Sequence, residues 1–419
     1  MVTARGVERA DIVAKDRTIT AVGRDIDGDG QEIDATGLHV FPGGIDPHVH
    51  FNEPGRTDWE TISNGSRALL QGGYTSFIDM PLNSHPVTTT GKAFDLKLAA
   101  MRRSALLHYG LWGGLIPGNL DQLKPLVERG VIGFKAFMCP SGIDEFPAVD
   151  ETTLREAMAR IAELDSILLV HAESPARITT PQGTTAMDFI RSRPPEAEIE
   201  AIDQAINVAR QTGCRLHVVH VSTVQGITLV RDAQLHGVDV SAETCPHYLL
   251  YAEEDLARLG GAGKCAPPLR SAANRDDMLG MVAAGEIEMV VSDHSPSTPD
   301  LKQGADYTRI WGGISGCQST RQLLLAQERI EPPVVAAVTA TNIARRFRLK
   351  EMGDIAPGFD VDLWIVDLSH EDVVRRESLL YRNQFSAHEG QRIRGKTINT
   401  IIRGARPGSG QLIRPAAGS

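Results

Sequence analysis

Short β-rich runs alternate with stretches of helical spacing through most of the chain, and this alternation limits the possible folds more than any other feature. Eight such runs occur in the sequence: HVFPGGID (39–46), YTSFIDM (74–80), LHYGLWGG (107–114), VIGFKAFM (131–138), SILLVHAE (166–173), RLHVVHVS (215–222), VDVSAETC (238–245) and EMVVSDHS (288–295). Strands that are joined through helices run parallel, and eight of them can close into a barrel. We therefore predict an α/β fold with a (β/α)8 TIM-type barrel over residues 41–349. An open doubly wound sheet is the structural alternative.

The two ends of the chain have a different pattern. Both carry short alternating runs bounded by Gly, Pro and Asp, as in ADIVAKDRTITAVG near the start and GDIAPGFDVDLWIVDL near the end. This pattern favours antiparallel strands. The length of 419 residues leaves room for an accessory domain beside a barrel of about 250 residues. We predict a small β-sandwich domain made from residues 1–40 plus 350–419, into which the barrel is inserted.

Composition and charge exclude several classes of function. The formal net charge of −10, with no Lys/Arg run, argues against nucleic acid as the main partner. No segment approaches the about 18 uninterrupted apolar residues of a membrane span, and the N-terminus lacks the apolar stretch of a signal peptide. The five cysteines form no CxxC pair, which predicts reduced, mostly buried thiols. These features predict a cytoplasmic protein.

Metal-capable side chains follow several of the predicted strands. His48 and His50 lie two residues apart, so on an extended strand both imidazoles point to one face. Alone, this pair is weak support for a metal site. Three more residues strengthen it, because each ends or follows an apolar run: His171, His220 and Asp293. The carboxyl ends of barrel strands form the active-site face, so the pattern predicts a metal site there.

Lys135 lies inside the apolar run VIGFKAFM and allows two interpretations. Its amine can extend to the barrel rim and remain a cation. Alternatively, the neutral amine captures carbon dioxide and becomes a carbamate. Charge favours the second, because two divalent ions with Asp293, a hydroxide and a carbamate sum to about +1, whereas an ammonium would add repulsion. The residues alone leave both interpretations open.

Several long segments resemble the amidohydrolase superfamily and, within it, the allantoinases. They include HVHFNEPGRTDWE (48–60), GFKAFMCPSGIDEFP (133–147), SAETCPHYL (241–249) and SDHSPSTPDLK (292–302), and the resemblance runs from about residue 10 to about residue 405. It implies a binuclear centre whose ligands are His48, His50, Lys135, His171, His220 and Asp293. It also implies that Lys135 is N6-carboxylysine, formed with CO2.

The activity implied by this resemblance is hydrolysis of a cyclic amide. A metal-activated hydroxide would attack a ring carbonyl, while Asp293 would take a proton and pass it to the departing ring nitrogen. The substrate implied is allantoin, whose hydantoin ring opens to allantoate in purine degradation. Two divalent ions are required, with Zn2+ the first choice and Fe, Mn or Co also suited to the ligands. Relatives suggest a homotetramer, by analogy only.

Three other functions remain as alternatives. A hydantoinase or dihydropyrimidinase would share the metal ligands but usually lacks NEPGR after the HxH pair. A dihydroorotase would carry an Arg two residues after that pair to bind a carboxylate, whereas this chain has Asn52. A non-catalytic scaffold of the same fold would lack metal ligands, and here all six residue types are present.

Other residues near the predicted mouth have less certain roles. Asn52, Arg56 and Asn83 are candidate substrate contacts, although hydrogen bonds that cap the loops would explain them equally. His247 and His294 are expected either to orient ligands or to pack as core histidines. His217 is three residues before His220, so we expect it on the opposite face of the strand in a structural role. Because little precedes GVERADIV, the small domain is expected to lack a strand that relatives have.

Overall fold

A closed barrel of parallel strands forms the centre of the computed structural model, which describes residues 1–26, 28, 30–403 and 410–417. In chain order the barrel strands are Gly44–Val49, Tyr74–Asp79, His108–Leu111 continued by Gly113–Gly114, Phe134–Phe137, Ile167–His171, Arg215–Val218, Val240–Thr244 and Met289–Val290. Neighbouring strands pair in parallel register. The ring closes where Val49 bridges to His294 and the His50 N–H donates to the His294 carbonyl at 2.8 Å. The predicted (β/α)8 TIM-type barrel is confirmed.

Helices surround the barrel, and several of them begin at residues whose side chains cap the first turn. The Thr90 hydroxyl accepts the Ala93 N–H at the start of one helix, and the Asp150 carboxylate accepts the Thr153 N–H at the start of another, which satisfies donors that a helix leaves free. The α-helices are Ile62–Gln71, Gly91–Ser104, Leu123–Arg129, Glu151–Glu163, Ala186–Ser192, Pro195–Thr212, Val224–Leu235, Pro246–Leu250, Leu256–Leu259, Ala272–Ala283, Thr320–Leu325, Pro332–Ala336 and Asn342–Arg346.

The first predicted strand, 39–46, is two strands rather than one. His39–Pro42 pairs antiparallel with Leu363–Val373 outside the barrel, and Gly44–Val49 is the first barrel strand. Gly43 separates them, and a side chain there would lie 2.3 Å from the Thr75 hydroxyl. The chain therefore changes sheets at a position where only glycine fits.

Strands from both termini form small antiparallel sheets beside the barrel. Asp11–Lys15 pairs with Thr18–Gly23, Leu363–Val373 pairs with Arg392–Ile401, and a two-residue strand precedes them at Val2–Thr3. These sheets share their own apolar cluster, formed by Ile19, Val40, Ile355, Val361, Leu363 and Ile365. The division into 1–40 plus 350–419 and 41–349 stays a prediction, and residues 404–409 and 418–419 of it lie outside the described part of the chain.

Arg321 closes the amino-terminal end of the barrel, opposite the predicted site. It is fully buried, and its two terminal nitrogens donate to the carbonyls of Gly73 at 2.7 Å and Pro42 at 3.1 Å. Its guanidinium lies 4.3 Å from the ring of Trp364 and also over Phe41. This cation therefore joins the starts of the first two barrel strands to the terminal sheet.

None of the helices in the described part of the chain is both long and apolar enough to cross a membrane.

All five cysteines are free thiols and buried. Burial raises the pKa of Cys139, Cys214 and Cys265 to about 12. The thiols are therefore protonated packing groups, as the spacing of the cysteines predicts.

Candidate metal centre

His48, His50 and Asp293 meet where the first and eighth barrel strands adjoin. The Asp293 Oδ1 atom lies 3.2 Å from His48 Nε2 and 3.5 Å from His50 Nε2. The Nδ1 atom of His50 faces the Leu82 carbonyl at 3.2 Å, which leaves Nε2 free to bind. Burial would raise the pKa of Asp293, but His48 and His50 outweigh it and hold that pKa well below its usual range. The three side chains fit one cation.

His171 and His220 form a second pair beside the first. His171 is the last residue of the fifth strand, and its Nδ1 lies 3.1 Å from His220 Nε2. The ring of His220 lies 5.5 Å from the ring of His48. Burial lowers the pKa of both His171 and His220, so both are neutral and able to donate a lone pair. The two histidine pairs are close enough to hold neighbouring metal ions.

Lys135 is buried between these groups, with 1% of its surface exposed. Its Nζ atom has no hydrogen-bond partner among the described residues and lies 4.9 Å from the ring of Phe137. Burial lowers the pKa of Lys135 to about 7, against the opposing effect of Glu243 and Asp293. An unpaired buried amine is costly, and its neutral form is the one that reacts with carbon dioxide. The surroundings of Lys135 therefore fit a carbamate, which would offer carboxylate oxygens to a metal centre.

Glu243 is a functional group that the sequence analysis missed. It lies inside the seventh strand, where its carboxylate contacts His48 Nδ1 at 2.5 Å and His217 Nε2 at 3.0 Å. Burial would raise the pKa of Glu243, but the two histidines hold it at about 2. The carboxylate thus accepts the His48 Nδ1 proton and directs Nε2 toward Asp293. Such partners fix the tautomer and orientation of a metal-binding histidine.

Glu173 does the same for His171 and was also missed. Its Oε2 atom lies 2.7 Å from His171 Nε2, and the same carboxylate pairs with Arg193. His171 is therefore left with Nδ1 as its binding nitrogen. The available signal was an acidic residue in or beside an apolar run, as in LLVHAE and VSAET. That signal does not identify the histidine that each carboxylate contacts, since the partner of Glu243 lies on a distant strand.

Four residues at the carboxyl ends of the strands have left-handed backbone conformations, with φ of 61° at Asn52, 28° at Asn83, 40° at His220 and 43° at Asp293. Such conformations are unusual for residues other than glycine and concentrate at functional sites. They also interrupt the alternation of strand faces. The expectation that His217 lies opposite His220 is wrong, because His217 contacts Glu243 and both histidines face the barrel interior.

The candidate substrate contacts lie on loops around the centre. Asn52 is buried; its amide nitrogen donates to the Pro296 carbonyl at 3.3 Å, while its Oδ1 has no hydrogen-bond partner in the described structure. Arg56 donates to the Asn83 carbonyl at 2.8 Å and lies over the ring of Trp59 at 5.2 Å. Arg56 and Asn83 therefore hold two loops together. Substrate contact by Asn52, Arg56 and Asn83 stays a prediction.

His294 and His247 differ in their surroundings. The His294 ring lies 3.3 Å from Glu60 Oε2 and accepts the Gly316 N–H at 3.2 Å, so it packs against the loops behind the centre. His247 is buried, and both its ring nitrogens lack hydrogen-bond partners within the described residues. Burial lowers the pKa of His247 to about 4.

Comparison with known proteins identifies the family of this chain. The model of the amidohydrolase family matches residues 39–406. An allantoinase from Rubrobacter xylanophilus is 48% identical over 411 residues, which cover 95% of this chain and 90% of that protein. An allantoinase from Solibacter usitatus is 45% identical, over an alignment that covers 100% of this chain and 96% of that protein.

Solved structures with the same fold include a hydantoinase and a dihydropyrimidinase. The L-hydantoinase (dihydropyrimidinase) from Arthrobacter aurescens superposes with a TM-score of 0.94 at 30% identity, over 99% of this chain and 97% of that one. A dihydropyrimidinase from Brevibacillus agri superposes with a TM-score of 0.89 at 27% identity, with the same coverage. The chain belongs to the amidohydrolase family and is a metal-dependent cyclic amidohydrolase.

Proposed function

We propose that this protein hydrolyses the hydantoin ring of allantoin to allantoate. The observation that carries this choice of substrate is Asn52, whose buried amide oxygen has no hydrogen-bond partner in the described structure. An amide oxygen accepts hydrogen bonds from neutral N–H donors, which the ureido group and ring of allantoin offer. The relatives named allantoinases, at 48% and 45% identity, support the same substrate.

The proposed metal ligands are His48, His50, Lys135 as its carbamate, His171, His220 and Asp293. Imidazole, carboxylate and carbamate groups suit zinc first, and iron, manganese or cobalt nearly as well. When bound, two such ions supply a hydroxide nucleophile near neutral pH and polarise the scissile carbonyl. Glu243 and Glu173 keep the free nitrogens of His48 and His171 aimed at the centre.

Asp293 is the proposed proton carrier. Because its pKa is held well below the usual range, its carboxylate is ionised at neutral pH and can accept the proton of the attacking nucleophile. It then delivers that proton to the departing ring nitrogen, so one group acts as base and afterwards as acid. His48 and His50 lie at 3.2 and 3.5 Å from Oδ1 and hold the carboxylate in place.

A hydantoinase or dihydropyrimidinase is the second candidate. The similarity to the Arthrobacter aurescens L-hydantoinase, with a TM-score of 0.94, favours it, because that enzyme has the same fold. Hydantoin lacks the ureido substituent of allantoin. The two candidates therefore differ in what the loops around the metal centre must bind.

An assay of metal-loaded protein on allantoin, hydantoin and dihydroorotate separates these functions. We expect rapid opening of allantoin, slower opening of hydantoin, negligible turnover of dihydroorotate, and loss of all activity after chelation. Rapid opening of hydantoin without turnover of allantoin would reject allantoin as the substrate and support the second candidate. Activity that survives chelation would reject the metal mechanism.

The oligomeric state and the cellular location complete the proposal. We propose a homotetramer, by analogy with relatives, and a cytoplasmic location, since five free buried thiols suit a reducing compartment. The mass of the protein in solution by light scattering tests the first. Four times the chain mass of 45.4 kDa is expected, and a monomer would contradict it.

A further inference from the structure

His247 is a buried histidine beside the proposed metal centre that the mechanism above does not use. It follows the seventh strand and lies in the short helix Pro246–Leu250. Only 1% of its surface is exposed, and neither ring nitrogen has a hydrogen-bond partner within the described residues. Each such nitrogen costs about 1–3 kcal/mol when it is buried without a partner. A cost of this kind is retained where a ligand repays it.

Other buried histidines away from the metal ligands have hydrogen-bond partners. His217 contacts Ser241 and Glu243, His294 contacts Glu60 and Gly316, and His388 contacts the Tyr251 hydroxyl. Those contacts explain these rings as packing or orienting groups. The same explanation does not apply to His247.

The position of His247 connects it with the reacting centre. One of its nitrogens lies within 4.8 Å of a carboxylate oxygen of Asp293 and of the Cys245 thiol. Asp293 is the proposed proton carrier to the departing ring nitrogen. The neutral imidazole of His247 therefore lies beside Asp293, on the side of the seventh strand.

We propose that His247 contacts the substrate and hydrogen-bonds the cyclic amide on the side of Asp293. This inference rests on the proposed function and names one further substrate-contacting residue within it. A neutral imidazole offers one N–H donor and one acceptor nitrogen. The two imidazole nitrogens point in divergent directions, so one of them binds a ring amide, either by donating to its carbonyl oxygen or by accepting its N–H. That contact would orient the ring nitrogen toward Asp293.

Two variants at His247 test this role with allantoin as the probe. His247→Ala removes both polar atoms, and we expect kcat/KM to fall about a hundredfold, the size expected when a hydrogen bond that orients the substrate is lost. His247→Gln keeps a donor and an acceptor, and we expect it to recover at least about tenfold of that loss. Metal content per chain should equal that of the wild type in both variants.

A matched control is His108→Gln. His108 is also a buried histidine whose pKa burial lowers to about 4, but it begins the third strand at the opposite end of the barrel. We expect this change to lower the melting temperature and leave kcat/KM for allantoin within about twofold of wild type.

The outcomes separate this inference from the proposed function. If the wild type opens hydantoin but not allantoin, the proposed substrate fails, and the same variants are then measured on hydantoin. Kinetics of His247→Ala within twofold of wild type would overturn the inference and leave the proposed function intact. Loss of metal in His247→Ala or His247→Gln, measured by elemental analysis of folded protein, would also overturn it, because the residue would then support the metal site.

Discussion

The two ends of the barrel bury polar groups in opposite ways. At the amino-terminal end, Arg321 donates to two carbonyls and stacks on aromatic rings. At the carboxyl end, Lys135 and His247 are buried with nitrogens that have no hydrogen-bond partner among the described residues. The two terminal nitrogens of Arg321 gain partners on folding, while its Nε has none among the described residues. The partners that we propose for Lys135 and His247 come instead from outside the chain: carbon dioxide and metal for Lys135, and substrate for His247. The amino-terminal end thus satisfies most of its buried cation within the protein, whereas the carboxyl end leaves polar atoms for ligands.

Backbone conformation adds a second comparison. At the carboxyl end, His220 and Asp293 adopt left-handed conformations that cost free energy in residues with side chains. Between the terminal sheet and the first barrel strand, Gly43 lies where no side chain would fit. Left-handed residues also occur at the amino-terminal end, where Asp165 precedes the fifth strand with a φ of 50°. The metal-capable side chains of His220 and Asp293, and not the conformation alone, therefore distinguish the carboxyl end.

The largest expected effect is at Lys135. Lys135→Ala should lower activity by at least about a thousandfold, because the proposed carbamate, which would hold the metals, cannot form. The melting temperature of the metal-free protein should change little, because the lost amine has no hydrogen-bond partner among the described residues. Short carboxylic acids should restore part of the activity by taking the place of the carbamate. Wild-type activity in this variant would contradict the role of Lys135.

Arg321 provides the opposite test at the other end. Arg321→Met should lower the free energy of unfolding by about 3 kcal/mol, since two buried carbonyls lose their donor and three rings lose their cation. Activity per folded molecule at low temperature should equal that of wild type. Urea unfolding of the metal-free protein measures the free energy of unfolding, and an assay of metal-loaded protein measures the activity. A large loss of activity per folded molecule would show that Arg321 also affects the metal centre at the other end of the barrel.

A substitution at Glu243 tests whether a carboxylate that contacts only histidines contributes to the metal centre. Glu243→Gln keeps the shape but loses the charge that holds the His48 tautomer. Metal affinity should fall about 10- to 100-fold, as measured by competition with a chelator. His294→Gln is the matched control, because its ring contacts Glu60 instead of a metal ligand. Equal affinities in Glu243→Gln and wild type would remove Glu243 from the centre.

The smallest expected effect is a pH dependence of stability from His108. Burial lowers its folded pKa to about 4 from 6.5, so between these values the unfolded chain binds a proton that the folded chain does not. Stability is therefore lost as the pH falls below 6.5. Between about pH 7 and pH 5, metal-free wild type should lose up to about 2 kcal/mol more than His108→Gln. Parallel pH profiles of the two proteins, from urea unfolding, would contradict this.

The barrel was predictable from the sequence because eight alternating runs leave few alternatives. The position of His171 at the carboxyl end of its strand was equally predictable, because it follows four apolar residues. The error at 39–46 arose because only Gly43 separates the two strands of that run, and the pairing of the first strand with Leu363–Val373 could not be read from the sequence. His217 was misplaced because a left-handed residue at His220 breaks the alternation that the prediction assumed.

The contacts between distant strands were beyond the sequence. Glu243 and His48 are 195 positions apart, and no local pattern pairs them. The same holds for Arg321, whose carbonyl partners lie near the other end of the chain. Local periodicity predicts which face a residue occupies, while closure of the barrel decides which residues meet across it.

The most direct test of the proposed centre is an anomalous-scattering map of crystals of zinc-loaded protein. Two peaks are expected at the carboxyl end of the barrel, one beside His48 and His50 and the other beside His171 and His220, with density for a carbamate on Lys135 between them. A single peak, an unmodified Lys135, or metal bound elsewhere on the barrel would contradict the binuclear centre.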